Sequence, residues 1–209
     1  MNDLTLLETR VLGTLVEKQH TVPDTYPLTL NALVSGCNQR TSRSPVMAAT
    51  ESEVQASLDS LKRRNLVIES SGSRVARYAH NFDAVLKVPS QSVAILTVLM
   101  LRGPQTPGEL RVNCERMHRF ADLSAVEAFL QELAARPAGA LVVQLGRLPG
   151  ARENRWAHLL SGTPAADSIS KGRDVRDEAP GEDPLEGRVA RLEAEVAELR
   201  AALDKLRLQ

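Results

Sequence analysis

The chain has 209 residues, and its 26 lysines and arginines balance 26 aspartates and glutamates, so net charge does not identify a nucleic-acid or membrane partner. Aromatic residues make up only 3% of the chain, so its cores must be aliphatic, as in small helical domains. Cys37 and Cys114 lack CxxC partners, which excludes a disulfide framework and predicts a cytoplasmic protein. The sequence predicts neither a signal peptide nor a membrane span.

The first elements predicted along the chain are three helices and a hairpin. A capping box at Thr5-x-x-Glu8 opens the first helix, and the second runs from about Pro27 to Val34 and stops at Gly36. The third helix opens at the box Thr50-x-x-Glu53. The strands of the hairpin are predicted at residues 66–69 and 74–80.

The same set of elements recurs further along the chain. The segment Ser52 to Leu61 repeats as Ser124 to Leu133, and three further blocks match in order. These blocks are residues 11–16 with Pro23 against 95–100 with Pro107, 66–68 against 141–143, and 77–80 against 155–158. The second copy predicts helices from Ser90, from a box at Thr106-x-x-Glu109 and from a box at Ser124-x-x-Glu127, and then a hairpin of residues 141–146 and 154–160.

Three helices followed by a two-stranded wing are the plan of a winged-helix domain, which contains a helix-turn-helix. The predicted fold class is mainly α with small β-hairpins (α+β), in two tandem winged-helix domains and a C-terminal coiled-coil helix. The predicted domains are residues 1–81 and 82–160. Residues 161–184, rich in Ser, Gly, Pro and acids, are predicted to be a flexible linker before the helix of residues 185–209.

The tail carries a heptad pattern that favours a parallel two-stranded coiled coil, with leucine at d and mostly valine at a. Its core residues are Leu185, Val189, Leu192, Val196, Leu199, Leu203 and Leu206. The pattern predicts a homodimer. The alternative is an amphipathic helix that folds back onto its own domains, because three heptads are marginal as an isolated helix.

Several long motifs resemble the YceH family of bacterial proteins. They are Glu17-Lys18, Thr21-x-Pro23, Tyr26-Pro27-Leu28, Leu30-Asn31, Cys37 to Arg40, Arg43-x-Pro45-Val46, Arg102 to Arg111, and Pro149-Gly150-x-Arg152-Glu153-x-Arg155-x-x-His158. The resemblance covers about residues 4–160, with a similar heptad tail. It implies two winged-helix domains and no particular activity.

No motif for catalysis, for a cofactor or for a metal is found, so we predict a protein that is not an enzyme. Cys37 beside Asn38 could be a nucleophile, but a small buried residue after a helix end is the favoured interpretation. His80 and His158 end matching strands, where a structural role is simpler than a ligand role.

Two hypotheses about the partner remain open, and the fold favours the first over its alternative. The first is a dimeric DNA-binding regulator, with DNA contacts from the helix connection, third helix and wing of domain one, namely Arg40, Arg43, Lys62, Arg63, Arg74 and Arg77. The second is an adaptor that binds another protein, like the tandem winged-helix subunits of chromosome-condensing complexes. A continuous positive face joining Arg40, Arg43, Arg63 and Arg74 would favour DNA. A flat apolar patch would favour protein.

Overall fold

The computed structural model describes residues 3–70, 75–147 and 153–163, which form helices and small antiparallel sheets. The first repeat contains α1 (Leu6–Thr21), a 3-10 turn (Pro23–Thr25), β1 (Leu28–Thr29), α2 (Leu30–Cys37), α3 (Glu51–Arg63), β2 (Val67–Ser70) and β3 (Arg77–His80). The second contains α4 (Phe82–Leu86), α5 (Ser90–Arg102), α6 (Pro107–Asn113), α7 (Leu123–Ala134), β4 (Val142–Gln144) and β5 (Trp156–His158).

Both predicted hairpins form. In the first repeat β2 pairs with β3 in antiparallel register, from Val67 opposite His80 to Ser70 opposite Arg77. In the second, β4 and β5 pair from Val142 opposite His158 to Gln144 opposite Trp156. The α+β class predicted from the sequence is therefore confirmed for the described residues.

Each sheet also receives a short segment that the sequence analysis did not predict. β1 adds to β3, so the first sheet has the order β1-β3-β2, with Leu28 opposite Tyr78. In the second repeat Gln105 bridges Trp156 in the same way. Each segment leads directly into a threonine that caps the following helix, Thr29 for α2 and Thr106 for α6.

The internal repeat is visible in side-chain hydrogen bonds as well. Arg77 donates from Nη1 to the carbonyl oxygen of Pro27 at 2.8 Å, and Arg155 donates from Nη1 to the carbonyl oxygen of Pro104 at 3.3 Å. Each arginine lies beside the aromatic residue of its strand and each proline precedes the added segment. The match of Pro23 with Pro107 was wrong, because Pro23 lies in the 3-10 turn whereas Pro107 opens α6.

Three predicted boundaries need correction. α2 begins at Leu30 rather than Pro27, because the preceding residues pair with β3, and Gly36 lies inside the helix rather than after it. The N-cap of α7 is Asp122 rather than Ser124, and its carboxylate accepts from the amide of Ala125 at 2.8 Å. The short helix α4 was not predicted.

The first helix is the centre of the described core. Residues 8–16 of α1 are all buried, because the helix packs against α2, α3, β3 and α5. Its contact with α5 is the most extensive between any two described helices. Gly13 permits this approach, since a Cβ there would lie 3.0 Å from the Leu101 side chain. At Gly36 in α2, a Cβ would lie only 2.6 Å from Cγ2 of Thr14. The two repeats therefore share one core.

The C-terminal predictions fall outside the described residues. Residues 164–209 contain the heptad and nearly all of the predicted linker, so both predictions stand as made from sequence. The division into domains of residues 1–81 and 82–160 also stays a prediction. Among residues 3–70, 75–147 and 153–163, no helix combines the length and the apolar character needed to cross a bilayer.

Candidate functional site

The third helix of the first repeat presents the outward stripe that its periodicity predicts. Val54, Leu58 and Leu61 are fully buried, whereas Ser52 and Ala56 are exposed. The stripe ends in Asp59 and Arg63, and the acidic residues Glu51 and Glu53 lie exposed in the first turn. Small and acidic groups therefore dominate the outer face of α3.

The third helix of the second repeat has the same character and no basic residue. Ser124, Ala128 and Gln131 are exposed along its outer face, and Val126, Leu130 and Leu133 are buried opposite them. The exposed charges on α7 are the carboxylates of Glu127 and Glu132. This surface would repel the phosphates of a nucleic acid.

Arg43, one of the six predicted DNA contacts, is not on the surface. Its side chain is 0% exposed, and its Nη2 lies 2.6 Å from Oε2 of Glu17 while its Nη1 donates to Oε1 at 3.1 Å. It also donates from Nε to the carbonyl oxygen of Gly36. Burial alone would raise the pKa of Glu17, but the hydrogen bonds and charge of Arg43 hold that pKa below its ordinary value. The guanidinium is fully used inside the fold, so the interpretation of Arg43 as a phosphate contact is corrected.

A second buried arginine holds the same connection between α2 and α3. Arg10 of α1 donates to the carbonyl oxygens of Cys37 at 3.1 Å and Pro45 at 2.7 Å. The ends of the connection are closed by two 2.8 Å hydrogen bonds between the Asn38 side chain and the backbone of Ala49. The basic connection that the sequence presents as a surface loop is thus largely anchored to α1.

Lys62 is paired with two carboxylates. Its Nζ lies 2.9 Å from Oδ1 of Asp59 in the same helix and 2.6 Å from Oε2 of Glu69 in β2. Hydrogen bonds to Glu69 and then to Asp59 raise the pKa of Lys62 above its usual value. Because the three side chains together carry a net negative charge, Lys62 adds no positive potential for DNA.

The remaining predicted contacts divide into three cases. Arg77 donates to backbone carbonyls of Thr25 and Pro27, so it joins the sheet to the 3-10 turn. Arg74 lies outside the described residues. Arg40 and Arg63 are exposed, and neither forms a hydrogen bond or ion pair within the described part of the chain. The continuous positive face expected for DNA is interrupted, because Arg43 is buried and Lys62 is neutralised.

The two cysteines occupy equivalent positions at the ends of α2 and α6, and both are 0% exposed. Burial raises the pKa of the Cys37 thiol and raises that of Cys114 to about 12. Both thiols pack in the core, where a nucleophile would be inaccessible to substrate. Within the described ranges, no three histidine, cysteine, aspartate or glutamate side chains are grouped closely enough to hold a metal ion.

A small cleft that the sequence did not predict lies where the two repeats meet. We call it the inter-repeat cleft; its volume is about 70 Å³ and its polar lining includes Glu17, Thr21, Ser42, Arg102, Asn113 and Arg116. Ser42 belongs to the α2–α3 connection and Arg116 to the α6–α7 connection. The α2–α3 connection follows Cys37, and the α6–α7 connection follows the equivalent buried residue Cys114. Aligning the two connections in the sequence would therefore have pointed to Arg116.

The described residues therefore form an α+β protein in which a unit of three helices and a hairpin occurs twice around a shared core. The chain belongs to the family described as protein of unknown function, DUF480, whose model matches residues 4–151.

Similar proteins extend over nearly the whole chain. A UPF0502 protein of Dechloromonas aromatica is 64% identical over 200 residues, covering 96% of this chain and 94% of the relative. UPF0502 proteins of Burkholderia orbicola and Burkholderia thailandensis are 57% and 58% identical, covering 99% and 96% of this chain and 89% and 86% of the relatives. Membership of a bacterial family of unknown function, predicted from the motifs, is confirmed.

The contrast between Arg43 and Arg40 generates a stability prediction. Arg43→Gln leaves the carboxylate of Glu17, whose side chain is only 17% exposed, without its main partner. We expect a loss of about 3–5 kcal/mol in the free energy of unfolding, measured by urea denaturation. The matched control Arg40→Gln removes an exposed charge and should change stability by less than about 0.5 kcal/mol. Equal stability of the two variants would contradict the buried ion pair.

Proposed function

We propose that each repeat is a winged-helix unit and that the protein is a non-enzymatic adaptor that binds another protein and dimerises through its C-terminal heptads. The order of elements in each repeat supports the fold: a helix, a segment that adds to the sheet (β1 in the first repeat and the single bridge at Gln105 in the second), two further helices and a hairpin. The three-stranded sheet of the first repeat, with β1 beside the hairpin, agrees with this plan.

One observation carries the choice of a protein partner over DNA. In a winged-helix domain the third helix is the element that enters the major groove. Here both third helices expose small neutral residues flanked by carboxylates, as at Ala56 beside Glu53 and at Ala128 beside Glu127. Base recognition requires side chains such as arginine, asparagine or glutamine, and nearby carboxylates oppose the approach of phosphates. Small side chains instead allow close approach of a partner's backbone or helix.

DNA binding remains the second candidate, and a specific observation favours it. Arg40 and Arg63 are exposed on the first repeat and form no ion pair within the described residues. Arginine contacts both phosphates and the guanine edge. In this mode Arg40 would contact the backbone, whereas Arg63, at the end of α3, would be the one candidate for reading a base.

Dimerisation is proposed from the sequence of the tail. Charges that flank the apolar positions are complementary in a parallel dimer, since Arg188 at g faces Glu193 at e of the partner helix, and Glu195 at g faces Arg200 at e. A dimer would present the surfaces of both third helices twice. Two copies of a weak protein-binding surface increase the effective affinity for a repeated or dimeric partner.

A photo-crosslinking experiment tests the adaptor function. A photoreactive amino acid placed at Ala56 or Ala128 should yield a discrete protein adduct in cells of the native organism, because these exposed positions lie at the centre of the proposed surfaces. The control carries the same group at Asp24, which is exposed in the 3-10 turn. Adducts that are equally frequent at Asp24, or absent at both alanines, would refute the assignment of the third helices.

The complementary measurement is fluorescence anisotropy with random duplex DNA at about 50 and 200 mM salt. We expect no binding tighter than roughly 10⁻⁴ M at either salt concentration, because the third helices repel phosphates. Salt-sensitive binding that weakens in Arg40→Gln/Arg63→Gln but not in Asp24→Asn would establish the DNA candidate instead.

Light scattering tests the dimer. The full chain should have twice the 22.8 kDa mass of one copy. Leu192→Lys/Leu199→Lys places charges at two d positions and should produce a monomer, because buried lysines disrupt the coiled-coil core. In the control Ala194→Lys/Ala201→Lys the same charges occupy outward f positions, so the dimer should persist. A monomeric wild type would disprove the role of the tail.

A further inference from the structure

The inter-repeat cleft lies where the ends of three helices meet two helix connections. Thr21 is the last residue of α1, Arg102 the last of α5 and Asn113 the last of α6, while Ser42 and Arg116 come from the two helix connections. The lining also includes the apolar residues Val98 and Leu101. A cleft of about 70 Å³ accommodates a group of only a few non-hydrogen atoms.

The charge of this cleft is positive. Arg102 and Arg116 line it, and the one acidic residue in its lining, Glu17, is held in the bidentate ion pair with Arg43 and also lies 3.7 Å from the ammonium of Lys18. Three cationic side chains, Arg43, Lys18 and Arg102, therefore act on this one carboxylate. Arg116 adds a further positive charge to the lining. Since the pKa of Glu17 is held below its ordinary value, this balance persists at neutral pH.

One side of the cleft is held in place by hydrogen bonds. Arg102 donates from Nη2 to Oγ of Ser42 at 2.7 Å, so the serine hydroxyl hydrogen remains available for another acceptor. The backbone amide of Ser44 donates to the carbonyl oxygen of Leu101 at 2.8 Å, which fixes the connection to the end of α5. Asn113 donates from Nδ2 to Gln105 and keeps a second amide hydrogen.

We propose that the inter-repeat cleft binds one phosphate group, with Arg102 and Arg116 as its cationic ligands and Ser42 as a hydroxyl donor. Guanidinium groups pair with the oxygens of phosphate, and serine and asparagine are frequent neutral donors to it. Arg116 lies exposed in the lining of the cleft, and the half-buried Arg102 is held beside Ser42. The phosphate can belong to a small molecule or to the backbone of a nucleic acid. This inference is independent of the adaptor function.

The test is a calorimetric titration of the full-length wild-type protein with inorganic phosphate, with sodium chloride at matched ionic strength as the reference. We expect saturable binding with a dissociation constant in the roughly millimolar range. Arg116→Gln removes a charge-assisted donor and should weaken binding by at least about tenfold. Arg119→Gln is the matched control, because Arg119 is exposed in the same connection but does not line the cleft, and it should change affinity by less than about twofold.

A second arm of the experiment distinguishes the sources of the phosphate. In one outcome, random duplex DNA binds, inorganic phosphate displaces it, and Arg116→Gln weakens its binding whereas Arg119→Gln does not. The cleft assignment then holds, with a nucleic-acid backbone as the source of the phosphate. The proposal of an adaptor that binds only protein fails in that case. If phosphate binds and DNA does not, a small phosphorylated molecule is the ligand. Absence of saturable phosphate binding in the wild type, or equal affinity in Arg116→Gln, overturns the proposal.

Discussion

A buried arginine in the first helix determines how the first repeat is assembled. Arg10 is 0% exposed, and its guanidinium donates to backbone carbonyls rather than to a carboxylate. Burial, and then the nearby charge of Arg43, lower the pKa of Arg10. A buried guanidinium is tolerated only where oriented dipoles compensate for its lost hydration. The carbonyl groups at the C-terminal end of α2 provide such a dipole. The position of the α2–α3 connection, and with it Ser42 in the inter-repeat cleft, depends on this arrangement.

This use of arginine changes how the basic character of the first repeat is interpreted. Arg10 and Arg43 hold the connection, and Arg77 joins the sheet to the 3-10 turn, so their charges stabilise the fold. A count of basic residues along the sequence overestimates the positive surface because it includes these internal donors. The side chains exposed on the outer faces of α3 and α7 are mostly small or acidic. This difference between the total charge and the accessible charge is the reason for proposing a protein partner.

Local signals predicted much of the fold, because they depend on residues close in sequence. Periodicity and capping boxes identified α1, α3 and α6, and β-propensity identified both hairpins. Ser124 and Asp122 are both good N-cap residues, so the motif alone selected the wrong one; the 72-residue offset that aligns Ser52 with Ser124 also aligns Thr50 with Asp122.

Other features depend on contacts distant in sequence. Arg40 and Arg43 lie in the same polar segment, yet only Arg43 is buried. It is buried because it pairs with Glu17, which lies 26 residues earlier in the chain. The two-residue strand β1 exists only through its pairing with β3, and the inter-repeat cleft requires both repeats together. A pattern read along one segment contains no information about such partners.

The packing of α1 against α5 has a consequence for how the chain folds. Both copies of the repeat cover α1. If one copy were missing, apolar side chains of this helix would therefore be exposed to water. With the Gly13 backbone against Leu101, cutting the chain between the copies would expose two apolar helices at once. The two copies of the repeat are therefore not expected to fold independently of each other. Residues 3–163 should melt in a single cooperative transition, with neither half persisting as a native intermediate.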